Sequence, residues 1–375
     1  MKRAIIGLLI FSILIALVSC GGDKTTYEPV PSTEEESRVV MTLDFGGNKY
    51  DVKYELYRAL FLTYSDEISD GDDSVWSGPN KDMYTAEINE LIVDRVSDIY
   101  SVFAVCEKIG FDLYSSKVDK RIDEYIKESI EGGGSVIGYG SYEKYLEALE
   151  KMNLNYSVQT LLYRYAIGLE AIDEHYIGTF DASDIDGEIK FGELTYDADD
   201  IKEYYYSDEC TRVLRAHIQA SSHYEPMEYA ERVRDKMIEA ADDGESAVAN
   251  VVINNGLTAP TEVQRGYVMG RYNLDSLYYS RLTEAALTLE LGEVSEVISV
   301  HNGEEEILYI LFCAEKSDEH FEEAYSEIAY VYLTNSVGEI INNSKIGLRE
   351  STEFTSVLEE LDYSIIIESN AKTED

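Results

Sequence analysis

Along 375 residues, 74 Asp and Glu stand against 31 Lys and Arg, a formal charge of −43 at pH 7, and 31 tyrosines accompany a single tryptophan. A surface this acidic repels phosphate backbones, which sets nucleic acid aside as a partner and suits solubility outside the cell. The length allows two modest domains, each able to bury a core of its own.

The chain opens with Lys2-Arg3 and an apolar run from Ala4 to Val18, shorter than the roughly 20 residues that cross a bilayer as a helix. The run ends in Leu17-Val18-Ser19-Cys20-Gly21, which resembles the lipobox of bacterial lipoproteins. That resemblance implies cleavage before Cys20 and a diacylglyceryl thioether on its sulfur, since two acyl chains hold a protein on a membrane. Residues 21–37 are polar, carry Pro29, Pro31 and Glu34-Glu35-Glu36, and read as a flexible tether.

Val39 to Val52 reads as two short strands about Gly46-Gly47. A helix from Tyr54 to about Tyr64 follows, then an acidic loop through Gly71, Gly78 and Pro79. Ile88, Leu91, Ile92, Val96, Ile99, Phe103 and Cys106 share one helical face that stops at Gly110. Ser116 and Asp119 are spaced as a capping pair for a helix carrying Val118, Ile122, Tyr125 and Ile126, broken by Gly132-Gly133-Gly134. Two more helices run through Tyr142 to Leu149 and Ser157 to Ile172. Far downstream, Phe321, Tyr325, Ile328, Tyr332 and Ile340-Ile341 repeat the helical spacing.

Between these helical parts, Arg212 to Gln219 alternates as a half-buried strand. A helix from Met227 to Ala241, a loop-rich middle and a helix from Leu277 to Leu289 come next. The chain then turns at His301-Asn302-Gly303 into a strand from Glu306 that ends in Ala314-Glu315-Lys316. This order, with Arg215-Ala216-His217-Ile218, Gly266-Tyr267-Val268-Met269 and Leu282 to Ser295 around Gly292-Glu293-Val294, resembles a parvulin-type (PpiC) prolyl isomerase domain. Asp197 to Tyr205, just upstream, resembles the linker helix of PrsA- and SurA-type foldases.

The resemblance implies an α+β protein. A mostly helical, discontinuous chaperone domain, 38–206 with 317–375, would receive an inserted parvulin-like domain, 207–316, built on a four-stranded antiparallel sheet with flanking helices. It implies a lipid-anchored foldase on the outer face of a bacterial cytoplasmic membrane. Its partners would be unfolded or partly folded secreted proteins and their Xaa-Pro segments. The alternatives are a holding chaperone with a degenerate isomerase domain, and a structural or binding lipoprotein.

His217 stands where the family has its first catalytic histidine, and Tyr309 takes the place of the second. Tyr309 donates a hydrogen bond but does not titrate near neutrality. Asn254 or Asn255 falls at the Cys/Asp position. The proline pocket maps to Met269 with Leu274 and Tyr278, or with Tyr278 and Leu282, because the segment carries about four extra residues. His175, His223, His301 and His320 receive no role. Cys106 reads as a small buried residue. Cys210 and Cys313 flank neighbouring strands, but with His217 opposite Tyr309, Cys313 lies opposite Val213, out of register for a disulfide. No cofactor and no metal is expected. Ala182 to Glu193 matches part of an EF-hand loop, yet its first acid is missing and it reads as an acidic turn. The many tyrosines between Tyr50 and Tyr206 serve helix packing or client contacts.

Overall fold

The computed structural model describes residues 27–132, 138–178, 189–191, 194–271, 276–302 and 305–371. The leader, Cys20 and most of the EF-hand-like stretch lie outside them. Among the described residues no helix is long and apolar enough to cross a membrane. The chain divides into two compact units, one of residues 1–173 and 340–375, the other of Glu174–Glu339.

In the discontinuous unit, strands β1 (Val39–Phe45) and β2 (Asn48–Lys53) form the hairpin expected around Gly46-Gly47. Both turn glycines have positive φ, +63° and +87°, a conformation that costs a residue with a Cβ far more. Helices α1 (Tyr54–Ser69), α2 (Lys81–Lys108), α3 (Ser116–Glu131), α4 (Tyr142–Lys151) and α5 (Tyr156–Tyr176) follow. Most of the α2 stripe is buried, with Ile88, Ile92, Val96, Ile99 and Cys106 fully out of water and Phe103 nearly so, but Leu91 at its edge is exposed. Each large apolar side chain so buried contributes about 1.5–3 kcal/mol. The acidic loop between α1 and α2 holds a short turn that puts Trp76 in the core, edge-on to Phe61.

Two expectations change here. The capping pair of Ser116 and Asp119 does not form: Ser116 is already the first residue of α3, the cap position falls to Ser115, whose hydroxyl donates to the Asp112 carbonyl, and the Asp119 carboxylate accepts from Arg164. The tether is also shorter than residues 21–37. Tyr27 stacks on Tyr142 at 5.0 Å, and the Ser32 hydroxyl donates to the buried Glu55 carboxylate, so the chain is already packed at Tyr27.

The other unit begins with a hairpin of β3 (Ile189–Phe191) and β4 (Leu194–Tyr196), then α6 (Ala198–Tyr206), whose start carries a capping box between Asp197 and Asp200. Its main sheet contains β5 (Cys210–Gln219), β6 (Tyr267–Gly270), β7 (Ile298–Asn302) and β8 (Glu305–Cys313), all antiparallel, in the order β6-β5-β8-β7. One face packs Leu214, Ala216, Ile218, Leu308 and Ile310 against α7 (Pro226–Ala241), α8 (Glu245–Asn255) and α9 (Pro260–Arg265). The opposite face carries Val213, Tyr309 and Leu311 and is met by α10 (Ser276–Thr288) through Leu282 and Ala286. Helices α8 and α9 occupy the middle read from sequence as loop.

Helices α11 (Asp318–Glu323) and α12 (Tyr325–Glu350) close the sequence of this unit, and α12 continues past Glu339. Phe321, Tyr325, Ile328 and Val331 cluster with Ile201, Tyr204 and Tyr205 of α6 and with Cys210 and Val268. This compact unit is therefore wider at both ends than 207–316. Beyond α12, β9 (Glu353–Phe354) pairs antiparallel with β1, giving the order β2-β1-β9, before two short helices, α13 (Ser356–Glu359) and α14 (Tyr363–Ala371).

Candidate active site

Alternation along β5 puts Val213, Arg215, His217 and Gln219 on the face that α10 meets. His217 pairs directly with Tyr309 on β8, and Tyr309 with Ile298 on β7. The His217 and Tyr309 rings are 5.3 Å apart between centroids and inclined at 40°. Tyr309 is buried, 3% exposed, whereas His217 is half-buried.

Beside this pair sits a residue quoted in the motif but given no role from sequence. The Arg215 guanidinium lies 3.9 Å from the centroid of the Tyr267 ring and 5.4 Å from that of Tyr309. Such placement holds a permanent charge against the Tyr309 phenol. Burial raises the Tyr267 phenol pKa and the guanidinium lowers it; burial is the larger effect. The signal was present in Arg215-Ala216-His217, since a strand positions i and i+2 on one face.

Among the pocket candidates, Met269 and Leu282 join Tyr309 in one cluster, Leu282 fully buried. Leu274 and the side chain of Tyr278 lie outside the described residues. Asn254 and Asn255 turn back on α8, their amides donating to the Asn250 and Val251 carbonyls at 2.7 Å. The chain after them runs along β5 where β6 has ended: Leu257 N–H donates to His217 O at 3.0 Å and the Thr258 hydroxyl to Arg215 O at 3.3 Å. Leu257 is 60% exposed, an apolar side chain next to the site.

Behind the sheet end, buried Arg212 is held by a fork to Glu245, 2.7 and 2.9 Å, and by the carbonyls of Arg265 and Glu315. His320, assigned nothing from sequence, is buried here, its Nδ1 2.7 Å from the Tyr205 hydroxyl. Burial, with Arg212 nearby, lowers its pKa from 6.5 to about 4. The folded state therefore resists a proton that the unfolded chain accepts, and stability falls as pH drops from about 6.5 to about 4. At roughly 1.4 kcal/mol per unit the loss reaches at most about 3 kcal/mol. Urea titrations between pH 4 and pH 7 are expected to show a flatter pH dependence for His320→Gln than for the parent; parallel curves would remove His320 from the account.

The three described cysteines are free and buried. Cys313 lies opposite Val213, the register expected from the His217–Tyr309 pairing, while Cys210 faces Gly270 on the other neighbouring strand. Burial pushes the Cys106 and Cys210 thiols up to about 12, so neither is a nucleophile near neutrality. Among the described residues no group of three or more His, Cys, Asp or Glu is placed to hold a metal ion.

Solved structures offer two likenesses. The foldase protein PrsA from Streptococcus pneumoniae is similar over 81% of this chain and 92% of its own, at 14% identity and a TM-score of 0.23. The foldase protein PrsA from Lactococcus lactis is similar over 88% of this chain and 99% of its own, at 15% identity and a TM-score of 0.22. No protein-family model matches the sequence. No curated protein matches it either.

Proposed function

We propose that the chain is an extracytoplasmic, lipid-anchored foldase that holds unfolded secreted proteins and turns over their Xaa-Pro bonds at His217 and Tyr309. The observation that carries this reading is the direct pairing of His217 with Tyr309 on the two central strands of the sheet.

Rotation about a prolyl bond crosses a barrier of about 18–20 kcal/mol set by amide resonance. In the twisted state the nitrogen regains its lone pair, so a fixed donor favours the twisted amide over the planar one. His217 and Tyr309 each offer such a donor, and Arg215 beside Tyr309 adds a permanent positive charge. Met269 and Leu282 supply the apolar side of the site. No proton transfer is needed, so a tyrosine can stand where a histidine is expected.

The test is acceleration of cis-to-trans exchange in short Xaa-Pro peptides by the chain beginning at Gly21. His217→Ala is expected to cut the acceleration about tenfold or more, the worth of one hydrogen bond to the twisted amide. Unchanged acceleration would sink the isomerase. The full burial of Leu282 favours a second reading, a holding chaperone whose isomerase site is degenerate. In that case neither form accelerates exchange, and both suppress aggregation of an unfolded protein equally.

A further inference from the structure

The discontinuous unit contains a cleft of about 400 Å³ that the isomerase site does not use. Tyr100, Tyr114 and Tyr156 line it from the helical side, with Val158 and Leu161 between them, and Pro29-Val30-Pro31 forms another wall. Tyr114 is 65% exposed, and the Arg164 guanidinium stacks 4.8 Å from its ring centroid. Arg164 is itself pinned by the Leu113 carbonyl and by Asp119, so the ring and the charge above it form a fixed platform.

The Pro-Val-Pro wall lies in a segment, 27–33, with neither helix nor strand. It is tied down at both ends. Tyr27 stacks on Tyr142, whose hydroxyl donates to the Glu28 carbonyl at 2.7 Å. Ser32 donates to Glu55, whose carboxylate also accepts from Asn155 and Ser157. Between these ties the prolines have no N–H to offer, and what they present to the cleft is ring surface. Aromatic-lined grooves are the surface on which extended proline-bearing chain docks elsewhere in proteins, because such chain loses little entropy on binding. Here the molecule lays its own example of that chemistry along the same cleft.

We propose that this cleft docks an extended, proline-bearing segment of an unfolded protein, with Tyr114 as its main anchor and the Pro29–Pro31 segment as its second wall. The inference deepens the client-holding part of the proposed function and rests on it for its biological occupant.

The test uses the chain from Gly21 and two fluorescein-labelled decapeptides, alternating Ala-Pro and alternating Ala-Ser, followed by anisotropy. The Ala-Pro peptide is expected to bind at least tenfold more tightly than Ala-Ser, and Tyr114→Ser to weaken it about tenfold. Because Tyr114 is largely exposed, the variant should keep the parent's thermal midpoint, and Tyr114→Phe should keep most of the affinity. Equal affinity for the two peptides, or no loss in Tyr114→Ser, overturns the proposal. Suppression of aggregation is measured alongside. Suppression without a proline preference leaves the client-holding reading standing and the cleft inference defeated; proline-selective binding lost in Tyr114→Ser, without suppression, does the reverse.

Discussion

Arg212→Met is expected to lower the unfolding free energy of the unit holding the four-stranded sheet by about 3–5 kcal/mol, the usual cost of breaking a buried ion pair from one side. Arg212 is 6% exposed, and its guanidinium gathers parts distant in sequence. It bonds both Glu245 oxygens at the start of α8, the Arg265 carbonyl at the end of α9, and the Glu315 carbonyl just after β8. Methionine fills similar volume but leaves the Glu245 carboxylate and the carbonyls of Gln264, Arg265 and Glu315 without their donor. Arg212→Lys should recover only part of the loss, because one ammonium cannot match a fork whose arms lie 2.7 and 2.9 Å from the two carboxylate oxygens. Glu245→Gln should cost less than Arg212→Met, since Glu245 is only partly buried and the carbonyl contacts survive. Urea unfolding followed by circular dichroism ranks the three; a cost below about 1 kcal/mol for Arg212→Met would mean that the sheet end holds itself together by apolar packing alone.

What could be read from the sequence was local or periodic. The Gly46-Gly47 hairpin, the α2 stripe and the strand that places His217 each follow from residues within a few positions of one another. The pairing of His217 with Tyr309 was legible because both strands carry motif residues that set the register. What escaped depends on partners far away. Strand β9 is two residues long, and its pairing with β1 joins Thr42 to Glu353. His320 looked like a polar turn residue because its partner, Tyr205, lies 115 positions upstream. The middle between Ala241 and Leu277 reads as loop-rich, yet Val248, Val252 and Val263 bury themselves fully against the sheet and draw α8 and α9 into order. Residues 21–37 are polar and carry two prolines and a glutamate run, yet from Tyr27 on the segment is held by an aromatic partner, Tyr142, far away in sequence.

The absence of a side chain at Gly270 matters where β6 meets the helices that flank the sheet. A methyl there would fall inside contact distance of the Tyr204 hydroxyl oxygen and 3.0 Å from Val331 Cγ1. Neither neighbour has room to retreat, because Tyr204 and Val331 belong to the buried cluster of α6, α11 and α12. Gly270→Ala is therefore expected to cost about 2–3 kcal/mol by overpacking. The Tyr204 hydroxyl is buried with no hydrogen-bond partner among the described residues, and burial drives its pKa well above the ordinary phenol range. Removing that oxygen in Tyr204→Phe should change stability by less than about 1 kcal/mol, since the hydroxyl gives up no bond in the folded state. It also vacates the space that the methyl added by Gly270→Ala needs. The double variant should then lie closer to the parent than Gly270→Ala alone, a favourable coupling of about 1–2 kcal/mol in a double-mutant cycle by urea unfolding. Strict additivity would place the strain of Gly270→Ala against Val331 or in the backbone of β6 instead.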